Sequence, residues 1–214
     1  MADEYVVRNA REYETGVIDY TSYNEDRAPI MGYLDALCER TATGARVLDL
    51  RCGRGWETRT LHDRGYQPVG FDLSRAFLEH VRHQQPAIPC VRGDMRRLPF
   101  ADASFEGAWA SASLLHMSRT DLDVALAELA RVLRPGAAFV GSVQVGDSEG
   151  FVPRKSAPGA ELFYGYLAPE DWRARVEAAG FAIDDLVIEI HEEEQSHLNA
   201  GSRGWATVIA RRGA

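Results

Sequence analysis

The feature that most constrains the fold is the regular alternation of short apolar runs with helix-patterned segments from residue 29 onward. Strands are predicted at 45–50, 67–71, 89–92, 105–110, 137–144, 181–190 and 205–210, and helices at 30–40, 57–64, 75–84, 119–133 and 169–179. Strands that alternate with helices of this length form a mostly parallel sheet with helices on both faces. The sequence therefore predicts an α/β, doubly wound fold.

The last two predicted strands follow each other without a helix between them. We therefore expect a seven-stranded sheet whose last strand is antiparallel and lies at one edge. Ser74 and Ser118 are the predicted N-caps of the helices that follow them. Three segments show neither the helical nor the strand periodicity of apolar residues and are expected to be irregular. They are residues 1–28, 146–168 and 191–204.

Composition indicates one soluble globular domain, with 214 residues that are 45% hydrophobic and 26% charged. No apolar run approaches the ~18 residues of a membrane span, and the acidic N-terminus does not read as a signal peptide. Cys38, Cys52 and Cys90 are widely spaced and odd in number, which favours free thiols in a reducing, cytoplasmic setting.

The charge balance bears on possible partners. The net charge is -8, and Lys155 is the single lysine of the sequence. Because the phosphate backbone of a nucleic acid needs clustered cations, we expect no nucleic-acid partner. A small-molecule substrate is the favoured partner, no membrane partner is expected, and the oligomeric state stays open.

Residues 47–55, V-L-D-L-R-C-G-R-G, carry a predicted strand into a helix through Gly53 and Gly55. Glycines at such a turn let backbone amides approach a ligand, and the helix N-terminus favours an anionic group. Asp72 follows the second strand, where a carboxylate can accept both hydroxyls of a ribose. Dinucleotide oxidoreductases and S-adenosylmethionine enzymes both use this arrangement. A dinucleotide loop would need a glycine where Thr58 stands, so the second class is favoured.

Five stretches carry a family resemblance. They are V-L-D-L-R-C-G-R-G, V-G-F-D-L-S, R-G-D-M-R-R-L-P-F, F-E-G-A-W-A-S-A-S-L-L-H-M and L-A-R-V-L-R-P-G-A-A-F. In this order, over about residues 30–145, the chain resembles a class I S-adenosylmethionine-dependent methyltransferase of the small-molecule type. The similarity is weaker from A-P-E-D-W to the C-terminus. The resemblance implies a Rossmann-like fold and S-adenosyl-L-methionine as the cofactor.

The resemblance also implies roles for individual residues. Gly53 and Gly55 would face the methionine part of the cofactor, and Asp49 would hold either the amino group of that part or the loop itself. Asp72 would take the ribose hydroxyls. The other implied cofactor contacts are Leu73, Asp94 and Met95 on the adenine and Ser111 beneath the sulfonium. The alternative for the three aspartates is ordinary capping of loops, although their position after three successive strands favours the cofactor.

Arg51 departs from the family pattern, which usually has glycine at this position. Its side chain could point away from the pocket, could pair with the carboxylate of the cofactor, or could obstruct the site. Because Gly53, Gly55, Asp72 and Asp94 are all present, obstruction is the least favoured of the three.

His116 is the leading candidate for a general base, because it follows the fourth strand and an imidazole titrates near neutrality. The alternative is a histidine that only orients a loop. In similar methyltransferases the N-terminal segment folds over the cofactor. The resemblance therefore implies a lid at 1–28, with Tyr20 as a second catalytic candidate and Tyr13, Tyr23 and Arg27 near the cofactor. A surface helix with a tyrosine face is the other possibility.

The remaining segments complete a single methyltransferase domain over 1–214. Residues 29–145 would form the cofactor-binding core, 146–168 a substrate-side insertion, and 169–214 the C-terminal helix and strand pair. Aromatic side chains at 163, 164 and 166 could enclose a substrate or attach the insertion to the core. The acidic, histidine-containing run at 189–197 matches no metal motif, and no metal is predicted.

The predicted function is transfer of a methyl group from S-adenosylmethionine to an O or N atom of a small molecule. One alternative is non-methylating chemistry on the same fold, such as cyclisation of the cofactor. Another is a binding protein that has lost catalysis through a degenerate cofactor loop.

Overall fold

The computed structural model describes residues 2–15, 27–153, 159–191 and 201–214. Its helices are α1 (Ala2–Thr15), α2 (Ala28–Glu39), α3 (Trp56–Asp63), α4 (Arg75–Gln84), α5 (Arg119–Val132) and α6 (Pro169–Ala178). Its strands are β1 (Arg46–Leu50), β2 (Gln67–Asp72), β3 (Cys90–Arg92), β4 (Phe105–Ala110), β5 (Leu133–Val145), β6 (Glu149–Pro153), β7 (Glu161–Gly165), β8 (Phe181–Ile190) and β9 (Gly204–Arg212). A 3₁₀ turn covers Leu114–His116.

Seven strands form one sheet in the order β3-β2-β1-β4-β5-β9-β8. Neighbouring strands from β1 to β5 pair in parallel, and β9 is antiparallel to both of its neighbours. The predicted fold class, a Rossmann-like and mostly parallel sheet with an antiparallel last strand, is confirmed. The predicted edge position of that strand is wrong, because β9 lies between β5 and β8. In this position its backbone groups are paired on both sides.

The core explains why the predicted strands form where they do. Val47, Leu48 and Leu50 of β1 are at most 1% exposed, since helices cover both faces of the central strands. Ser74 and Ser118 cap α4 and α5 through bonds to the amides of Phe77 and Asp121, at 3.3 and 3.2 Å. Both predicted caps are confirmed, and α4 begins directly after β2 whereas α5 begins after the 3₁₀ turn that follows β4.

The expectation of irregular structure for 1–28 is wrong, because α1 covers most of the first fifteen residues and α2 begins at Ala28. Tyr5, Asn9 and Tyr13 are buried at a spacing of four residues, so they form one face of α1. This face carries tyrosines and an asparagine instead of aliphatic residues, and the apolar pattern is therefore weak.

The expectation for 146–168 is also wrong, because β6 and β7 pair as an antiparallel hairpin. Of the segment 191–204, residues 192–200 lie outside the described residues, and β9 starts at the segment's last residue. The three cysteines are free, as expected. Among the described helices, none has the length and apolarity needed to cross a bilayer.

Candidate functional site

A pocket lies at the carboxyl ends of β1, β2 and β4, with α1 along one side. Of the residues predicted from the sequence, those that line it are Tyr13, Arg51, Asp72, Leu73, Asp94, Met95 and His116. Sequence reasoning did not assign its other lining residues, which are Ala10, Phe71, Ser74, Gly93 and Met117. The pocket is where an open α/β sheet binds its ligand.

Asp72 is the last residue of β2 and is 4% exposed. Its Oδ2 accepts a hydrogen bond from the Gly53 amide at 3.0 Å, and its Oδ1 accepts one from the Ser74 amide at 2.8 Å. Burial raises the pKa of this carboxyl, while the charge of Arg51 and the backbone amides act in the opposite direction. Each carboxylate oxygen keeps a second lone pair, which a ligand hydroxyl can use.

Gly53 and Gly55 have φ angles of 51° and 73°, in the left-handed region that glycine adopts without steric cost. A Cβ on Gly55 would lie 2.8 Å from Cγ2 of Val81, so this position needs glycine for packing as well. A Cβ on Gly53 would have no atom within 4 Å. The backbone at Gly53 therefore has open space on that side, although neither Gly53 nor Gly55 lines the pocket.

Arg51 also lies in the left-handed region, with φ at 60°, which explains why glycine is the usual residue at this position. Its Nη1 donates to the Ser113 carbonyl at 3.0 Å. Its guanidinium carbon is 5.2 Å from the centre of the Tyr13 ring. The side chain thus lies inside the pocket, and the outward orientation considered from the sequence is not the one observed.

Asp94 is held by Arg96, a residue that sequence reasoning did not single out. The Arg96 amide bonds Oδ1 at 2.9 Å, and its Nη2 bonds Oδ2 at 2.6 Å. Burial opposes ionisation of Asp94, but these bonds to Arg96 keep the pKa of the carboxyl below its usual value. Arg96 also donates to Asp121, which accepts from the hydroxyl of Tyr5 on α1. A polar chain therefore connects α1 to the Asp94 side of the pocket.

His116 is 7% exposed and bonded at both ring nitrogens. Nδ1 lies 2.9 Å from the Phe163 carbonyl, and Nε2 lies 2.7 Å from the Tyr13 hydroxyl. Because a carbonyl can only accept, we assign the ring proton to Nδ1, so Nε2 accepts from Tyr13. The Tyr164 ring packs 4.6 Å from the imidazole. The arrangement fixes the tautomer that a general base needs.

Asn9 attaches α1 to β7. Its Nδ2 donates to the Phe163 carbonyl at 3.1 Å, and its Oδ1 accepts from the Phe163 amide at 2.8 Å. Arg8 adds an ion pair of 2.6 Å with Glu161. No local pattern in the sequence signals these contacts, because the partners are more than 150 residues apart. They place Tyr13 against His116.

Asp49 is 2% exposed, does not line the pocket, and accepts from the hydroxyl of Thr58. Thr58 occupies the position where a dinucleotide loop would have its third glycine. Burial, and then the nearby charge of Glu57, raise the pKa of Asp49 to about 8. Of the two roles implied for Asp49, the structure displays the one that holds the loop.

The other predicted site residues lie elsewhere. Arg27 was expected near the cofactor, but its Nε lies 3.4 Å from Glu57 Oε1 and it does not line the pocket. Ser111 Oγ lies 3.3 Å from Ser142 Oγ, also outside the lining residues. Tyr20 and Tyr23 lie outside the described residues. Within the described ranges, no group of three or more His, Cys, Asp or Glu side chains is arranged to hold a metal ion.

Residues 48–141 match the family model described as a methyltransferase domain. A demethylmenaquinone methyltransferase from Beutenbergia cavernae is 37% identical over 131 residues, which are 61% of this chain and 52% of that protein. The chain thus spans about half the length of this relative.

Two solved structures share the fold. One is a 1,6-didemethyltoxoflavin-N1-methyltransferase from Burkholderia thailandensis with bound S-adenosylhomocysteine, at a TM-score of 0.76 and 20% identity over 100% of this chain and 91% of that one. The other is the [4+2]-cyclase SpnF, at a TM-score of 0.73 and 22% identity over 96% of this chain and 95% of that one. Residues 48–141 therefore match a methyltransferase domain, and the strand order and pocket of the chain are those of a Rossmann-like fold that binds its ligand at this edge of the sheet.

Proposed function

We propose that this protein transfers a methyl group from S-adenosylmethionine to an O or N atom of a small molecule. The observation that carries the proposal is that Asp72 and the Tyr13–His116 pair line one pocket. The Asp72 carboxylate can accept hydrogen bonds from ribose hydroxyls, and the His116 imidazole can accept a proton from a methyl acceptor bound beside the ribose. The proposed site thus combines a cofactor-binding half and a proton-accepting half.

The residues present fit the cofactor. Asp72 keeps lone pairs for ribose hydroxyls, and the backbone at Gly53 is open to close approach. Leu73 and Met95 offer apolar contact to an adenine ring. Asp94 lies beside them, and each of its oxygens already accepts two hydrogen bonds from Arg96, so the adenine amino group would have to share an oxygen with that pair. When bound, S-adenosylmethionine supplies a methyl group that its sulfonium has already activated.

The remaining task of the protein is to orient the acceptor and take its proton. Tyr13 donates to Nε2 of His116, so a proton that leaves an acceptor hydroxyl can reach the imidazole through the phenol oxygen. The Phe163 carbonyl, which accepts from Nδ1, stabilises the imidazolium that results. We assign His116 as the base and Tyr13 as the group between base and acceptor, and we keep Tyr20 as a further catalytic candidate.

We propose α1 as the described part of the N-terminal lid. It contacts the pocket through Ala10 and Tyr13 and is attached at Asn9 and Tyr5. A helix in this position excludes water from the acceptor side, which protects proton transfer and alignment.

The experiment that tests the function has two stages. Calorimetry with S-adenosylmethionine and S-adenosylhomocysteine measures cofactor binding, and no heat at millimolar ligand would contradict the proposal. The protein is then incubated with S-adenosylmethionine and a panel of phenols, alcohols, amines and quinols, and the products are read by mass spectrometry. We expect methylated product and S-adenosylhomocysteine to appear together. Quinols join the panel because the relative described above is named for demethylmenaquinone.

The fold shared with a [4+2]-cyclase makes a second outcome worth measuring. If the chain runs non-methylating chemistry, a substrate is converted without formation of S-adenosylhomocysteine. If the chain cyclises the cofactor, methylthioadenosine appears when no acceptor is present. Either result would replace methyl transfer as the function.

A further inference from the structure

Arg51 connects two loops across the pocket. It follows β1, yet its Nη1 donates to the carbonyl of Ser113 in the loop after β4, at 3.0 Å. The Cζ atom of the same guanidinium lies 5.2 Å from the centre of the Tyr13 ring. A residue with a Cβ holds a φ of 60° at a cost in free energy, and such residues concentrate at ligand sites. The position of the side chain therefore calls for a function.

The Arg51 guanidinium has capacity for an anion. A guanidinium carries several N–H donors in a planar fork. Within the part of the chain that the structure describes, the hydrogen bond to Ser113 is the one it forms, and no carboxylate pairs with it. The charge of Arg51 acts to lower the pKa of Asp72, but the oxygens of Asp72 already accept hydrogen bonds from the amides of Gly53 and Ser74. The fork is thus open to a ligand carboxylate.

Resting on the proposed function, we propose that Arg51 binds the carboxylate of the cofactor's methionine part. That part carries an ammonium, a sulfonium and a carboxylate, and a guanidinium attracts only the last. Charge-assisted pairs of guanidinium and carboxylate are frequently bidentate and are stronger than neutral hydrogen bonds. In this way the side chain that replaces the usual glycine becomes a selectivity element for the intact amino-acid part of the cofactor.

The test compares two ligands that differ by one group. Calorimetry is run with S-adenosylhomocysteine and with its decarboxylated analogue, which lacks only the carboxylate. We expect the wild type to prefer S-adenosylhomocysteine by about tenfold or more, and Arg51→Gln to lose most of this preference while binding the analogue within about threefold of the wild type. The matched control is Arg59→Gln, since the Arg59 guanidinium packs 4.4 Å from the Trp56 ring and does not line the pocket. Arg59→Gln should keep the preference.

Other outcomes overturn the assignment. An unchanged preference in Arg51→Gln shows that another group holds the carboxylate. If Arg51→Gln binds both ligands more tightly than the wild type, Arg51 obstructs the site. If its affinity for both ligands falls by the same factor, Arg51 supports only the conformation of the loop. If Arg51→Gln does not fold, Arg51→Gly, which suits the positive φ, is compared in its place with the same outcomes. Failure of the wild type to bind either ligand overturns the proposed function as well, whereas normal binding with no preference overturns only the role of Arg51.

Discussion

The hydroxyl of Tyr13 donates a hydrogen bond of 2.7 Å to Nε2 of His116, and thereby joins α1 to the 3₁₀ turn behind β4. The other imidazole nitrogen donates to the Phe163 carbonyl at 2.9 Å. Both side chains are at most 8% exposed and line the pocket. A base with a fixed tautomer and a fixed donor therefore faces the space where we expect the acceptor.

Tyr13→Phe removes the hydroxyl and keeps the ring that packs near Arg51. If the phenol passes the acceptor's proton to His116, turnover should fall about 10- to 100-fold while the affinity for S-adenosylhomocysteine changes little. Steady-state kinetics and calorimetry measure the two quantities. Tyr33→Phe is the control, because the Tyr33 hydroxyl bonds Glu189 away from the pocket and its loss should leave turnover intact.

The double variant of Tyr13→Phe with His116→Ala separates one catalytic unit from two independent residues. If both act on the same proton, the double variant should be hardly slower than the slower single variant. Effects that multiply would mean that the residues act separately. Unchanged turnover in both single variants would remove the pair from the mechanism.

Asp72→Asn replaces an acceptor-only group by one that also donates. The Asp72 oxygens accept from the amides of Gly53 and Ser74, so the new amide group faces a donor and also loses a ribose contact. Cofactor binding should weaken by about 1–3 kcal/mol, measured by calorimetry. Asp123→Asn is the control, because this carboxylate pairs with Arg175 at the surface. Equal affinity in wild type and Asp72→Asn would exclude the ribose role.

The sequence placed one half of this site well. Asp72 and Asp94 follow neighbouring parallel strands, and the carboxyl ends of such strands meet at one edge of the sheet. Their association follows from the strand order in the structure, whereas periodicity predicts the strands themselves and not their order. The same logic located His116 after β4, and the short serine caps fixed where the helices begin.

The other half depends on contacts that periodicity does not encode. Asn9 and Tyr13 reach their partners across more than 100 residues, after β7 has formed a hairpin that the sequence did not suggest. The prediction that β9 lies at the edge of the sheet is wrong for a related reason. Local spacing predicts that β8 and β9 pair, but it does not predict which of the two strands pairs with β5. Arg27 was placed by family analogy alone, and in the structure it pairs with Glu57 near the buried Asp49.

Asp49→Asn tests the buried carboxyl beneath the glycine loop. The pKa of Asp49 rises from 3.8 to about 8, so between these values the folded protein binds more protons than the unfolded chain. Stability contributed by this group must therefore fall as the pH rises from 4 to 8. Asparagine keeps an oxygen for the Thr58 hydroxyl and has no charge to bury.

We expect urea denaturation of the cofactor-free variant to show a flatter dependence on pH, with a gain of at least about 1 kcal/mol over wild type at pH 8. Asp102→Asn, at a side chain that is 78% exposed, should follow the wild-type curve. A variant that loses stability equally at pH 5 and pH 8 would show that the ionised form is the native one.

Asn9→Ala tests whether α1 is held by its two hydrogen bonds to the Phe163 backbone. Their loss leaves the Phe163 amide without its side-chain partner and should destabilise the docked helix by about 1–3 kcal/mol, because each bond contributes about 0.5–1.5 kcal/mol. Hydrogen exchange read by mass spectrometry should show α1 amides exchanging faster, with the strands from β1 to β5 unchanged. Val7→Ala, on the exposed face of the same helix, controls for helix propensity and should exchange like wild type. Protection of α1 that survives in Asn9→Ala would mean that Tyr5 and Tyr13 hold the helix on their own.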